Sequence, residues 1–410
     1  MKPESISAVV KLMLAFAVAL ALGAVATPRA HAQTFSVVHN FTGGSDGANP
    51  LSGFTIDAAG NLYGTTNAGG ASGAGTVFKV TQGGSVIVLH SFTGGMDGAN
   101  PGASLLLDAA AGDLYGTTNA GGAFGSGTVF KVTQSGSVIV LYSFTGGKDG
   151  ASPEAGLAMD AAGFLYGTTT AGGSNGNGTV FRLYLGQSPR FAPYRVLYSF
   201  GQGTDGKVPV AGVTLDAAGN LYGTTSAGGT YGYGTVFQLK LKVTPSNSDS
   251  GWTESILHNF QNANDGAVPY AGLIFDQSGD LYGAATEGGQ GVNVGGTIFK
   301  LTPSQSGWTF TVLYSLPGSG ISGTFRNIIM DASGSLYATT HCDGANNAGT
   351  VYKLTHSGGT WTYNSLYVFT GGSDGLYSFS NLVFDTNGNL YGTTNQGGAN
   401  GSGVVFKITP

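Results

Sequence analysis

Along most of the chain, short apolar runs alternate with stretches of Gly, Asn, Asp and Ser, and none shows helical spacing over ten or more residues. Runs of this length, rich in Val, Ile, Leu, Tyr and Phe and bounded by turn residues, predict β-strands. The pattern repeats. A Leu-Tyr-Gly motif, once Leu-Tyr-Ala, places Tyr63, Tyr115, Tyr166, Tyr222, Tyr282, Tyr337 and Tyr391 at intervals of 51 to 60 residues. A regular period of that size signals a stacked or circular array. In the fourth copy the predicted strands are 212–215, 220–224, 234–239 and 255–260. Four strands in each of seven units predict an all-β fold: a seven-bladed β-propeller with four antiparallel strands per blade.

Within each unit the turn after the first strand begins with an aspartate: Asp57, Asp108, Asp160, Asp216, Asp276, Asp331 or Asp385. An Asp there bonds the backbone of a tight turn while the following Gly supplies positive φ, so these carboxylates read as structural. The residue before each Asp is apolar in every copy, and the one before that, on the opposite strand face, is mostly so. A strand apolar on both faces suits a blade packed between two neighbours. The seventh unit ends after its third strand, and residues 35–41 form a lone copy of the fourth, matching 86–92 and 138–144. Letting that segment complete the last blade closes the ring and removes the open edge of a linear array.

The repeat Gly-Leu-x-x-Asp-x-x-Gly-Asn-Leu-Tyr-Gly-Thr-Thr, followed by Gly-Gly and Gly-Thr-Val-Phe-Lys, resembles the Gloeo_Verruco (GloVer) tandem repeat of secreted bacterial proteins over nearly all of the chain after residue 32. Its first half is also similar to NHL-type propeller repeats. The resemblance implies an exported, commonly surface-anchored repeat protein with no established activity to carry over, and relatives often end in a sorting segment that is not legible here.

Residues 1–32 read as a targeting segment: Lys2 and Lys11, an apolar run over 12–26, and Ala30-His31-Ala32 before Gln33. That run is short for a membrane span, so the expected location is secreted, periplasmic or on the cell surface, with one propeller domain over 33–410. The remaining sequence holds no apolar stretch long enough to cross a bilayer. Only 9% of residues are charged, 41% are hydrophobic, and 73 are Gly. The net charge of −5 argues against a sequence-independent grip on nucleic acid. A single Cys342 leaves no intramolecular disulfide, so stability must come from blade packing. No cofactor motif is legible; the Gly-Gly loops lack the Lys-Ser/Thr and the helix of a phosphate loop. A monomer is expected.

Both long Gly-rich loops of each unit fall on one propeller face. One carries Asp46, Asp97, Asp149, Asp205, Asp265 or Asp374 before a Gly. One carboxylate per loop suits turn-capping and is thin for calcium, which takes six to eight oxygens. The sixth unit departs from the pattern, bringing Arg326, His341, Cys342 and Asp343 towards this face, with Glu287 in the neighbouring unit. Glu287, Arg326, His341 and Asp343, with Glu154, are the candidates for acid–base work; the competing reading is drift in one copy. On the other face, Trp252, Trp308 and Trp361 each lie eight residues before the end of a fourth strand, in consecutive units. They are candidate ligand-binding residues, because aromatic faces stack on sugar rings or anchor interfaces, or else they cover long hairpins. The function expected is an exported non-catalytic binding or scaffold module for carbohydrate or a surface protein. The alternatives are a polysaccharide lyase or hydrolase and a surface coat without ligand.

Overall fold

The computed structural model describes residues 33–186, 193–242, 251–291, 294–318 and 322–410; residues 1–32, read above as a targeting segment, lie outside them. Among the described residues there is no helix. Seven four-stranded antiparallel sheets follow one another as blades of a propeller within the compact unit Phe35–Thr409. In blade 1 the strands are Thr55–Ile56, Leu62–Thr66, Thr76–Val80 and Val86–Ser91. Blades 2 to 6 repeat this order, and the outer strands of blades 4, 5 and 6 are Trp252–Asn259, Gly307–Pro317 and Thr360–Val368. Blade 7 is made of Val383–Phe384, Leu390–Thr394, Val404–Thr409 and, as its outermost strand, Thr34–Asn40. The N-terminal strand therefore closes the ring, as the repeat count predicts. Phe41 N donates to Gly403 O at 3.0 Å, and Phe35 stacks on Tyr367 with centroids 3.7 Å apart.

Blade-to-blade packing rests on one recurring pair. The aromatic that ends each outer strand meets the Phe of the next blade's third strand edge-on: Phe41–Phe78, Phe92–Phe130, Phe144–Phe181, Phe200–Phe237, Phe260–Phe299 and Phe369–Phe406, at 5.0–5.5 Å. All twelve rings are fully buried. The Gly of Leu-Tyr-Gly has to be small because a Cβ at Gly116 would lie 2.6 Å from the Phe130 ring. Where Ala338 replaces that Gly, the pair becomes Leu316 and Tyr352. The smaller Leu316 leaves room for the ring, and the Tyr352 hydroxyl is bonded to Thr324 Oγ at 2.8 Å.

The turn aspartates serve as predicted. Asp57 accepts from Asn61 N at 2.8 Å and from the Tyr63 hydroxyl at 2.9 Å, and Asp216 does the same with Asn220 and Tyr222. First strands are shorter than expected, Thr214–Leu215 rather than 212–215. At Gly212 the backbone instead runs against blade 3, where a Cβ would lie 2.5 Å from Gly156 O. Both Gly-rich loops of a blade share a face and pair with each other, as at Ala48 and Ala68; in blade 4 this becomes a short ladder, Gly206–Lys207 with Ala227–Gly228.

Candidate functional site at the mouth of the central channel

Eight residues before the turn aspartate the chain bends in six of the blades. The residue at the bend has positive φ in six blades, between 53° and 60°: Asn49, Asn100, Ser152, Val208, Val268 and Tyr377. For Val208, Val268 and Tyr377 this is a strained conformation. Hydrogen bonds to two blades hold it: Val268 N donates to Tyr233 O at 2.9 Å, and Tyr377 O accepts from Asn395 N at 2.9 Å. Two residues on stand Leu51, Gly102, Glu154, Val210, Tyr270, Phe325 and Phe379, and contacts from one blade to another made by Gly102, Glu154, Tyr270, Phe325 and Phe379 mark the mouth of the channel.

Three of these are aromatic and lie on consecutive blades. Tyr270 and Phe325 are 5.3 Å apart, Phe325 and Phe379 5.2 Å. His341 packs on the arc, 4.1 Å from Phe379 and 4.6 Å from Tyr377. All are half-buried. Burial pushes the His341 imidazole down to about 4, so it is neutral at pH 7, and its Nδ1 is buried without a hydrogen-bond partner.

The opposite side of the mouth is polar. Glu154 accepts from Asn119 Nδ2 at 2.8 Å. Arg326 reaches across the axis from blade 6 to blade 2, donating from Nη2 to Gly102 O at 3.2 Å. Burial disfavours its charge while Glu154 favours it. Burial, with Glu154 and Glu287, holds the Tyr270 hydroxyl above its ordinary range. Below, amides link the blades: Gly272 N donates to Asn327 Oδ1 at 2.7 Å, Asn327 N to Asn381 Oδ1 at 2.9 Å, and Asn381 Nδ2 to Ser104 Oγ at 3.0 Å. A cavity of about 300 Å³ lies here, lined by Ser104, Gly156, Gly212, Tyr270, Arg326 and Asn381 among others.

Of the four acid–base candidates, Glu287, Arg326 and His341 come to this mouth, together with Glu154. Asp343 does not. It is buried, accepts from the Thr340 hydroxyl, and burial raises its carboxyl. The aromatic arc was missed in the sequence, although aligning the copies six residues before each turn Asp brings Tyr270, Phe325 and Phe379 into one column.

The Asp-Gly aspartates are engaged from within. Asp46 accepts from Thr42 N at 3.0 Å and is paired with His39 Nε2 at 3.0 Å. Asp97 and Asp265 are paired in the same way with His90 and His258, while Asp149, Asp205 and Asp374 accept from the hydroxyls of Tyr142, Tyr198 and Tyr367. At Asp46, burial raises the carboxyl, but the bonds from Thr42 and His39 outweigh it and hold it below the usual range. Among the described residues no three His, Cys, Asp or Glu are grouped to hold a metal. The tryptophans are half-buried and lie on the seams between blades: Trp252 between 3 and 4, Trp308 between 4 and 5, Trp361 between 5 and 6.

The family described as the Gloeobacter/Verrucomicrobia repeat matches residues 19–237, 147–308 and 211–410. The chain belongs to that family. No curated protein matches this family member. Many solved structures match it. One named as an ancestral GH74 enzyme aligns with a TM-score of 0.58 at 12% identity, over 88% of this chain and 48% of its own. A structure from Bacteroides uniformis, provisionally named a 6-phosphogluconolactonase, aligns at 0.49 and 15% identity, covering 81% and 88%. A third, from Thermus thermophilus and provisionally named an oxidoreductase (glucose dehydrogenase), aligns at 0.44 and 14%, covering 92% and 100%. At 12% identity the first of these likenesses speaks to the fold alone. Among the described residues, no helix is long and apolar enough to cross a membrane.

Proposed function

We propose that this repeat protein is an exported binding module whose ligand, a carbohydrate, seats at the channel mouth. The observation that supports this is the aromatic arc of Tyr270, Phe325 and Phe379 facing the hydrogen-bonding pair of Glu154 and Asn119. A sugar ring needs both: an apolar platform for its C–H face and polar groups for its hydroxyls. The same geometry weighs against acid–base chemistry centred on His341. That imidazole is neutral, enclosed by rings, and has no carboxylate bonded to it.

Calorimetry with soluble oligosaccharides tests the reading. Phe379→Ala and Tyr270→Ala should each weaken binding about tenfold, roughly 1.4 kcal/mol, while Trp361→Ala leaves it unchanged. Absence of any glycan binding, or binding that survives both mouth variants, would overturn it. A hydrolase is the second reading, favoured by Glu154 and Glu287 both acting on Tyr270, since glycoside hydrolysis uses two carboxylates. It requires turnover that disappears in both Glu154→Gln and Glu287→Gln.

A further inference from the structure

Each tryptophan fills a slot that the repeat forms at other seams too, and at two seams the slot is open. Trp308 sits two residues before Phe310, on the same strand face, at the end of a hairpin with eight residues between Leu301 and Phe310. That length carries the indole over the seam with blade 4. There it meets Tyr222 edge-on at 5.7 Å and joins the apolar cluster that holds Leu257, Phe275 and Leu281. Trp252 belongs likewise to the apolar cluster that holds Tyr166, Leu197, Leu215 and Leu221, and Trp361 to the one that holds Tyr282, Leu313, Met330 and Leu336. The lining residues occupy the same four repeat positions each time.

Blade 2 has a shorter hairpin, with five residues between the paired Val132 and Val138. The tryptophan register falls on Gly136, inside the turn at φ 84°. The seam between blades 1 and 2 is consequently a groove of about 600 Å³ lined by Tyr63, Leu89, Leu107 and Leu114. These are the repeat equivalents of Tyr222, Leu257, Phe275 and Leu281. The seam between blades 7 and 1 presents three of the four positions, with Asp385, Asn387 and Asn389 beside them. Gly84 stands in the tryptophan register, and a groove of about 520 Å³ is lined by Tyr391, Val38 and Leu62. Lys79 lies over Tyr63 at 5.4 Å and Lys407 over Tyr391 at 5.7 Å, a cation at each rim.

We propose that these two grooves are docking sites for tryptophan side chains of a partner polypeptide. The molecule itself specifies the occupant, because the same floor already receives an indole at three other seams. An indole buries its ring on the leucines and meets the lysine with its π-face.

Saturation-transfer NMR with the tripeptide Ac-Gly-Trp-Gly-NH₂ tests this, with Ac-Gly-Leu-Gly-NH₂ as control. The indole protons should receive saturation several-fold above the leucine methyls. The double variant Ala109→Trp/Thr386→Trp, which adds bulk at exposed turn positions lining the two grooves, should abolish the effect, and Phe379→Ala should not change it. A second arm replaces 133–137 with the sequence of 302–309. The grafted indole should be protected from acrylamide quenching, raise Tm, and lower the tripeptide signal about twofold. The proposal is overturned if the tripeptide receives no saturation, if soluble oligosaccharide displaces it, or if the grafted indole is quenched as freely as free tryptophan.

Discussion

Phe41→Ala probes ring closure at the contact where the terminal strand meets blade 1. Phe41 is 0% exposed, lies edge-on to Phe78 at 5.1 Å, and packs beside the His39 ring at 4.9 Å. Burying a Phe side chain is worth about 1.5–3 kcal/mol, and the edge-on pair adds about 1 kcal/mol. With the cavity left behind, the truncation should cost about 3–5 kcal/mol. Phe144→Ala is the matched control: 0% exposed, 5.3 Å from Phe181, and far from either end of the ring. Urea unfolding followed by circular dichroism should give losses of similar size for both. If Phe144→Ala loses that amount and Phe41→Ala stays within about 0.5 kcal/mol of the parent, the terminal strand does not hold the ring and the closure argument fails. Deleting 33–41 should cost more still and produce concentration-dependent association, because it bares the edge of Val404–Thr409.

Other outcomes follow from the same contacts. Gly116→Ala should cost about 1–3 kcal/mol by pressing on Phe130 and Leu105. Adding Phe92→Leu, in imitation of Leu316 beside Ala338, should make the pair less harmful than the sum by at least about 0.5 kcal/mol in a double-mutant cycle. Burial lifts the Glu254 carboxyl to about 7, with Asp205 adding to the effect. A raised carboxyl stabilises while protonated and loses that advantage as pH rises from about 4.5 through 7, so Glu254→Gln should raise Tm at pH 8 and leave it unchanged at pH 4. His341 is depressed to about 4, so its contribution is present above pH 6.5 and lost as pH falls towards 4. His341→Phe should flatten the Tm–pH curve over that window. Asp46, Asp97, Asp149 and Asp374, all held below the ordinary carboxylate range, should give a further loss below about pH 4, visible in the same titration.

The fold was legible because the repeat states each requirement seven times. The spacing of the Leu-Tyr-Gly tyrosines gave the blades, the turn aspartates gave the first hairpins, and the lone copy at 35–41 gave the closure. The mouth was harder to read. Tyr270, Phe325 and Phe379 are separated by more than fifty residues each, and only the circular arrangement makes their shared column a neighbourhood. His341 and Asp343 look like partners in the sequence, yet they part because Asp343 turns inward to Thr340. The tryptophan register was visible, but its inward direction depends on hairpin length, which sets how far an outer strand extends before it turns.

Closure by the first strand also fixes an order of events. Asn40 Oδ1 accepts from Ala399 N, 359 residues later in the chain. A growing polypeptide emitting that asparagine first must wait for the final blade before the bond can form, and distant pairings of this kind are slow to nucleate. Until then the strand Val404–Thr409 has no outer neighbour. The seventh blade thus decides when the strand Thr34–Asn40 becomes part of the ring.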